Sequence, residues 1–485
     1  MKNTSGLPAI IAASLLLAAC STNPVTGESD FVLMSESQEI SLGRQYSAQV
    51  LKEMPPYEDA ALGELAQRVG EGLAANSHRP ELIYRFTIVD SATVNAFALP
   101  GGYIYITRGM LAYLNSEAEL AAVLGHEIGH VTARHSVRQH STATATGLVG
   151  AVISAASGIQ GVDTLTNMAG TALVRGYGRE HELEADRLGA EYLAKSGYDP
   201  EAMLEVVGVL KNQETFEVAT AKKEGREANV YHGLFSTHPD NDARFQEVVA
   251  AAIKHKTGTT TRIEQDSFLR SLDGMAFGAS AKEGVVRDNR FYHAPLNFSL
   301  SFPKGWRIDN KPEKIIARSR SNDALMQVSL TDRNKRITPQ QFMTQRLKLE
   351  GMRNGEAFSA NGLQGYTALA HAKTPWGLRT ARYAVVYKGN SVYIFAGAAK
   401  QQNDSRKYDA DILKAAKSLH SLTGAEKRLA SEKKLAIIRA PAGTRYATLA
   451  RKSPLTNYPE EQLRLLNDQY PSGEPKPSQL LKVIR

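Results

Sequence analysis

The stretch AELAAVLGHEIGHVTARH restricts the fold of this chain more than any other, because it places two histidines and a glutamate in one turn of an apolar helix. The sequence predicts that this helix spans 116–139, with Ser116 as its N-cap and Glu119 completing a capping box. His126 and His130 lie four residues apart, or about 400° of helical turn. Both imidazoles therefore project from one face, where they can share one zinc ion.

Glu127 completes the H-E-x-x-H pattern, and it can deprotonate a water bound to that zinc. A catalytic zinc takes three protein ligands and keeps one position open, so a third ligand is needed. The extended metzincin pattern would supply a histidine where Ser136 stands here. His135 is one residue away from that position, and on a continuous helix it points about 140° away from His130. The third ligand is therefore expected from elsewhere in the chain.

Acidic side chains in a second predicted helix, residues 177–196, offer the missing ligand. Glu182 and Asp186 lie four residues apart and so share one helix face. One carboxylate can bind zinc while the other accepts the ring N–H of a zinc-bound histidine. Glu180 and Glu184 point elsewhere on a regular helix, and Glu184 is the main competitor for the ligand position.

The pair of motifs HEIGH and REHELEAD resembles those of the gluzincin metalloproteases that include the HtpX-like and CAAX-prenyl proteases. The resemblance implies one zinc ion per chain, with Glu182 as its third ligand and Asp186 as the carboxylate behind a zinc-bound histidine. The family also carries a His-Pro segment, here STHPDNDARF. By resemblance, His238 lies over the active site as a fourth ligand or as a transition-state contact, and Arg244 positions it or binds substrate.

Two further segments, NPVTGESDFVLMSESQEISLGRQ and NAFALPGGYIYITRGML, are similar to the periplasmic lipoprotein branch of this family, which is related to the outer-membrane assembly protease type. The resemblance covers residues 23–249. The second segment predicts a strand that contains Asn95, Ala96 and Phe97. We expect this strand to present an edge to which an extended substrate adds as a further strand.

The first twenty residues have the pattern of a lipoprotein signal peptide. Lys2 gives a minimal positive region, an apolar segment follows, and LAAC ends at Cys20, the only cysteine of the chain. We expect cleavage after residue 19 and lipidation of Cys20; an ordinary signal peptide with an incidental cysteine is the alternative. Ser21 stands where an inner-membrane retention signal would carry Asp, which favours a periplasmic protein anchored to the outer membrane.

Pattern changes along the 485 residues predict an α+β multidomain protein. A mainly helical, zincin-like protease domain with a small sheet is followed by an α+β domain and a small LysM-like C-terminal module. LNFSLSFPKGW weakly resembles the start of photosystem-II PsbP-like domains, and the tail looks like a degenerate LysM module, which either contacts peptidoglycan or serves packing. The predicted boundaries are 1–19 for the signal peptide, 20–256 for the protease domain, 257–288 for a linker, 289–425 for the α+β domain and 434–485 for the LysM-like module.

The composition excludes two classes of protein. An apolar content of 42% and a mean hydropathy of −0.31 exclude a polytopic membrane protein and a largely disordered chain. The formal net charge of +8 is spread along the chain, and no motif for binding nucleic acid accompanies it. The Gly- and Ala-rich stretch 141–174 is expected to form a pair of packed helices; a membrane-touching hairpin or a mobile lid is the alternative.

These patterns and the family resemblance together predict a zinc-dependent endopeptidase of the bacterial cell envelope that hydrolyses misfolded or misassembled envelope proteins. Glu127 would act as the base, and His238 would meet the developing oxyanion. The expected partners are unfolded envelope polypeptides, the membrane through the N-terminal lipid and, in one interpretation of the tail, peptidoglycan. The alternative is a non-catalytic assembly or peptidoglycan-binding adaptor built on a metalloprotease scaffold.

Overall fold

The structure is a computed structural model of the chain, and it describes residues 20–144, 178–228, 242–255, 261–311, 313–333 and 335–485. The predicted signal peptide, most of the predicted Gly- and Ala-rich helix pair, and His238 lie outside the described residues. Within the described part of the chain, no helix is both long enough and apolar enough to cross a membrane.

The helices are numbered α1 to α13 along the described chain, and residues 135–144 form a further helical stretch that is left without a number. Their bounds are Glu36–Glu53 (α1), Ala60–Ala74 (α2), Arg108–Tyr113 (α3), Glu117–Thr132 (α4), Arg179–Lys195 (α5), Ala202–Glu224 (α6), Asp242–Ile253 (α7), Gln265–Ser271 (α8), Pro339–Gln345 (α9), Ser405–Lys417 (α10), Gly424–Leu429 (α11), Tyr446–Ala450 (α12) and Pro459–Leu466 (α13).

The strands are numbered β1 to β18 in the same way. Their bounds are Cys20–Thr22 (β1), Ser29–Phe31 (β2), Arg85–Val89 (β3), Ala96–Leu99 (β4), Tyr103–Thr107 (β5), Ala276–Phe277 (β6), Val285–Arg287 (β7), Arg290–His293 (β8), Phe298–Ser301 (β9), Arg307–Lys311 (β10), Lys314–Arg318 (β11), Ala324–Asp332 (β12), Arg353–Ala360 (β13), Leu363–Thr374 (β14), Gly377–Lys388 (β15), Ser391–Ala399 (β16), Lys433–Arg439 (β17) and Leu480–Ile484 (β18).

The chain divides into two compact units, and their bounds differ from the predicted domain boundaries. The first unit comprises Met1–Phe277 and Lys434–Arg485, and the second comprises Gly278–Lys433. Part of the predicted linker forms α8, in which Phe268 and Leu269 are buried, so that this part packs into the first unit. The segment predicted as a separate LysM-like module also belongs to the first unit.

A three-stranded sheet with the order β3-β5-β4 forms part of the first unit. Strands β3 and β5 are parallel, and β4 is antiparallel to β5. All five residues of β5, YIYIT, are buried, as expected for a central strand. The turn before β5 contains Gly101 and Gly102 with φ of 75° and 86°, a left-handed backbone that glycine adopts without steric cost. Strand β4 is an edge of this sheet, because it stands last in the strand order.

Helix α4 is buried along its entire length in the core of the first unit. The side chain of Ser116 accepts the backbone N–H of Glu119 and caps the helix, as predicted. The Glu119 carboxylate accepts the N–H of Asn115, whereas the predicted capping box required the N–H of Ser116. The helix ends at Thr132, earlier than predicted, because Arg134 adopts a left-handed backbone with φ of 55°.

The C-terminal segment completes the core of the first unit. Strands β17 and β18 pair antiparallel, and α12 and α13 lie between them in the sequence. Leu463 of α13 belongs to the same hydrophobic cluster as Leu120 of α4. Lys482 of β18 is fully buried, and its Nζ donates hydrogen bonds to the carbonyl oxygens of Ala112 and Leu114 just before α4.

The second unit contains a seven-stranded sheet with the order β10-β11-β12-β16-β15-β14-β13, in which all neighbours are antiparallel. Its two faces are covered by different helices. Phe395 of β16 shares a cluster with Ile412 of α10, whereas Val392, which turns to the opposite face, shares a cluster with Phe342 of α9. This part of the chain therefore has the predicted α+β character.

Candidate metal centre

Three side chains from two helices meet in the first unit. The Nε2 atoms of His126 and His130 are 3.0 Å apart, and each lies 3.4 Å from Oε2 of Glu182. Ligands of a tetrahedral zinc with bonds of 2.0–2.1 Å are separated by about 3.4 Å. The three atoms therefore have the spacing of one metal site. Among the described residues, no other group of His, Cys, Asp and Glu side chains has such an arrangement.

The electrostatics of the site favour a bound cation. All three side chains are buried. Burial lowers the pKa of His130 to about 4, which keeps its imidazole in the neutral form that binds metals. Burial also opposes protonation of His126, but hydrogen bonds to Asp186 and Glu182 outweigh it and raise its pKa well above the ordinary value. The two carboxylates thus attract positive charge to this position, and two imidazoles with a carboxylate suit zinc.

Glycines allow the two helices that carry these side chains to approach backbone to backbone. A Cβ on Gly129 of α4 would lie 2.8 Å from the carbonyl oxygen of Ala185 in α5. A Cβ on Gly189 of α5 would lie 2.9 Å from the backbone nitrogen of His126. Neither position has room for a side chain. Because Glu182 lies about one turn before Ala185, this close approach brings its carboxylate to the imidazoles.

Asp186 lies behind His126 rather than at the metal position. Its Oδ1 is 2.8 Å from Nδ1 of His126. A carboxylate at this distance accepts the proton of Nδ1 and so keeps Nε2 in the deprotonated form that binds a cation. The sequence assigned one of the two carboxylates to the metal and the other to a histidine. The structure places Glu182 at the first position and Asp186 at the second.

His135 is not where the sequence placed it, whereas Glu184 points away from the metal position, as expected for a regular helix. The Nδ1 atoms of His130 and His135 are 2.8 Å apart, although His135 was predicted to point away. That prediction was wrong because the turn at Arg134 interrupts the helix. Glu184 contacts His135, with 3.0 Å between Oε2 and Nε2, and not the metal position. A left-handed backbone at a residue other than glycine leaves no clear signal in a sequence.

Glu127, the predicted base, is buried next to the three converging side chains. Burial raises its pKa to about 7 and the carboxylate of Glu182 adds to this rise, whereas His126 and the backbone N–H of Ala98 lower it. A carboxyl group with a pKa near neutrality can both accept and release a proton. The side chain therefore has the position and the acidity of a general base.

Two of the predicted substrate-binding residues, Ala96 and Phe97, lie in the edge strand β4 next to Glu127, and Asn95 directly precedes this strand. The carbonyl oxygen of Asn95 accepts a hydrogen bond from the end of β5. Alternate residues of a strand turn their backbone groups to opposite sides, so Phe97 also faces β5, whereas Ala96 and Ala98 face away from it. The N–H of Ala98 interacts with the Glu127 carboxylate. An added strand would therefore pair with the backbone of Ala96 and not with that of its neighbours.

The remaining predicted site residues are described only in part. His238 lies outside the described residues. Arg244 belongs to α7, but its side chain also lies outside the description. Cys20, the predicted lipidation site, begins β1 and pairs with Phe31 of β2.

Comparison with known proteins identifies the part of the chain that carries this site. Residues 63–252 match the model of Peptidase family M48. A beta-barrel assembly-enhancing protease from Yersinia pestis is 29% identical over 265 residues, which are 53% of this chain and 52% of that protein. A putative beta-barrel assembly-enhancing protease from Vibrio cholerae serotype O1 is 33% identical over 175 residues, 34% of this chain and 36% of that protein.

A more distant relative carries a related activity in its name. The mitochondrial metalloendopeptidase OMA1 of Arabidopsis thaliana is 32% identical over 151 residues, 31% of this chain and 30% of that protein. The chain thus matches about half or less of the length of these three relatives. Among solved structures, cyanobacterial PsbP from Synechocystis sp. PCC 6803 matches 29% of this chain and 96% of that chain, with 14% identity and a TM-score of 0.23.

An H-E-x-x-H helix, a carboxylate from a second helix and a buried glutamate beside them form the arrangement that is typical of a metallopeptidase site. The match of the family model covers both helices. Residues 63–252 of this chain are thus similar to the domain of Peptidase family M48.

Proposed function

We propose that this protein is a zinc-dependent endopeptidase. The observation that carries the proposal is the triangle of His126 Nε2, His130 Nε2 and Glu182 Oε2, whose sides of 3.0 to 3.4 Å match the ligand spacing of one tetrahedral zinc. The family match and the names of the relatives, which are proteases and metalloendopeptidases, support the same activity.

Different residues of the chain have different roles in peptide hydrolysis. Zinc held at the three side chains would polarise the peptide carbonyl and make water more acidic. Glu127 takes a proton from the attacking water and later delivers it to the leaving nitrogen. The Ala98 N–H beside Glu127 fixes the orientation of its carboxylate. By family resemblance, we also propose that His238 contacts the developing oxyanion and that Arg244 positions His238 or binds substrate.

An extended segment of substrate would bind along the edge strand β4. Its backbone would pair with the outward-facing groups of Ala96, and Asn95 and Phe97 flank this residue in the chain. Pairing of this kind depends on backbone groups more than on side chains. A protease that binds in this way accepts unfolded polypeptides of varied sequence, which suits the removal of misfolded or misassembled proteins.

We propose further that the protein acts in the bacterial cell envelope, lipid-anchored at Cys20 on the periplasmic side of the outer membrane. The lipobox LAAC and Ser21 support this location, and the relatives named beta-barrel assembly-enhancing proteases support proteins in beta-barrel assembly as substrates. For the tail, burial of Lys482 and Leu463 in the core of the first unit favours a packing role over peptidoglycan binding. The non-catalytic adaptor is less well supported, because a scaffold needs no buried base beside its metal ligands.

The proposal is tested with the purified chain and an unfolded protein as substrate. We expect cleavage that is lost with a zinc chelator and restored by zinc. Glu127→Gln should reduce the cleavage rate by about 10²–10⁴-fold and leave zinc binding intact. The matched control is Glu64→Gln on α2, an exposed glutamate of the same unit. Equal cleavage by the Glu127→Gln variant and the wild type would show that the assigned base is wrong.

A further inference from the structure

The two imidazoles of the metal centre have different partners at Nδ1. His126 contacts the carboxylate of Asp186, whereas His130 contacts a third imidazole, His135, at 2.8 Å between Nδ1 atoms. His135 is fully buried, and its Nε2 lies 3.0 Å from Oε2 of Glu184. We propose that His135 and Glu184 act together as positioning residues that orient His130 for metal binding. The inference rests on the zinc site of the proposed function.

The hydrogen-bonding capacity of each ring fixes the positions of the protons. His130 faces the metal position with Nε2, so its proton is on Nδ1 and is donated. Nδ1 of His135 must accept that proton, because two N–H groups cannot form a hydrogen bond with each other. His135 then carries its own proton on Nε2 and donates it to the Glu184 carboxylate. The result is a hydrogen-bond network in which His130 donates to His135 and His135 donates to Glu184.

The backbone turns at Arg134, directly before His135, and this turn makes the hydrogen bond between His130 and His135 possible. Arg134 has a φ of 55°, a left-handed conformation that is unfavourable for a residue other than glycine. Without this turn, His135 would project away from His130. Contacts of the Arg134 side chain hold the turn: its Nε lies 2.9 Å from Oε2 of Glu39, and its Nη2 donates to the carbonyl oxygen of Met34. The position of His135 is therefore fixed by an unfavourable turn that a buried ion pair stabilises.

Further contacts hold Glu184 and His135 in place. Nη1 of Arg138 donates to Oε2 of Glu184 at 3.2 Å, and its Nε lies 3.6 Å from Asp30 of β2. The ring of His181 stacks on His135 with 4.3 Å between ring centres and 18° between planes. These contacts restrict rotation of the His135 ring and movement of the Glu184 carboxylate. His130 is therefore oriented through two residues, where His126 is oriented through one.

The first experiment measures zinc affinity by competition with a chromophoric chelator. Partners behind a zinc-bound histidine are typically worth 10- to 100-fold in metal affinity, so we expect His135→Phe, which fills the space without an acceptor, to lose about that much. His135→Asn should retain affinity within a few-fold, because its Oδ1 can take the place of Nδ1. His420→Asn in the second unit is the matched control, since His420 also contacts a glutamate, Glu426.

The second experiment determines the tautomer of His135 directly, by NMR of zinc-loaded wild-type protein with ¹⁵N-labelled histidine. We expect a neutral ring with its proton on Nε2. A proton on Nδ1 of His135, or wild-type zinc affinity in the His135→Phe variant, would overturn the inference while the zinc peptidase remains. If the wild-type chain binds no zinc, the proposed function fails and this inference fails with it. The tautomer measurement needs no variant, so a misfolded variant cannot hide the answer.

Discussion

The close approach of α4 and α5 predicts that Gly129→Ala damages the metal centre without changing any ligand. The added Cβ would lie 2.8 Å from the carbonyl oxygen and 3.0 Å from the Cα of Ala185. Both are backbone atoms, so no side-chain rotation can relieve the contact. The two helices must separate instead, and Glu182 moves with the helix that carries Ala185.

The size of this movement can be worked out from the distances. Ordinary van der Waals contact begins at 3.4 Å, so the helices must part by about 0.6 Å. Zinc–ligand distances tolerate deviations of only about 0.2 Å. We therefore expect zinc affinity to fall by at least about tenfold, or ~1.4 kcal/mol. Overpacking costs about 1–3 kcal/mol in unfolding free energy, against a gain of about 1 kcal/mol from helix propensity.

The assay compares zinc affinity and urea unfolding of Gly129→Ala with those of Gly208→Ala. Gly208 lies in α6, and a Cβ added there meets nothing within 4 Å. The control should therefore gain up to about 1 kcal/mol of stability from helix propensity and bind zinc as the wild type does. If Gly129→Ala gained stability as the control does and kept full zinc affinity, the argument from close helix packing would be refuted.

Two more predictions concern buried charges in the first unit. Lys482→Met removes the donor to two buried carbonyl oxygens, and each unsatisfied acceptor costs about 1–3 kcal/mol; we expect the urea midpoint to fall, and an unchanged midpoint would contradict the role of this lysine. For Glu117, burial opposes ionisation, but Arg68, Tyr198 and Arg262 around its carboxylate lower its pKa below 4.5. A lowered folded-state pKa contributes stability above pH 4.5 that is lost as the pH falls further. We therefore expect Glu117→Gln to be less stable than the wild type at pH 7. Between pH 7 and pH 3, the unfolding free energy of the variant should fall less steeply than that of the wild type.

Several features of the site could be predicted because they depend on residues close together in the sequence. Ser116 marks the start of α4 since its hydroxyl can accept the N–H of Glu119 three residues later. The four-residue spacing of His126 and His130 places both imidazoles on one face wherever a helix forms. The same reasoning selected Glu182 and Asp186 as a pair. It could not decide on its own which of the two meets the metal, and there the family resemblance made the choice.

The errors arise where distant segments set the conformation. The helix was predicted to continue to residue 139, but contacts of Arg134 with Glu39 and Met34, about a hundred residues earlier, hold a left-handed turn that ends it. The contact of His135 with His130 was therefore not predicted. The tail was taken for a separate module because its own pattern is self-contained, yet Lys482 satisfies carbonyl groups more than three hundred residues away.

The sequence by itself determined the chemistry that this protein offers: two imidazoles and a base on one helix, and two acids on another. Only the tertiary structure decided which imidazole lies behind His130 and where the two helices touch. The physical reason is the distance in the sequence over which the interactions act. Helix periodicity and capping are set within a few residues, whereas the approach of α4 and α5 depends on glycine contacts between segments that are remote in the chain.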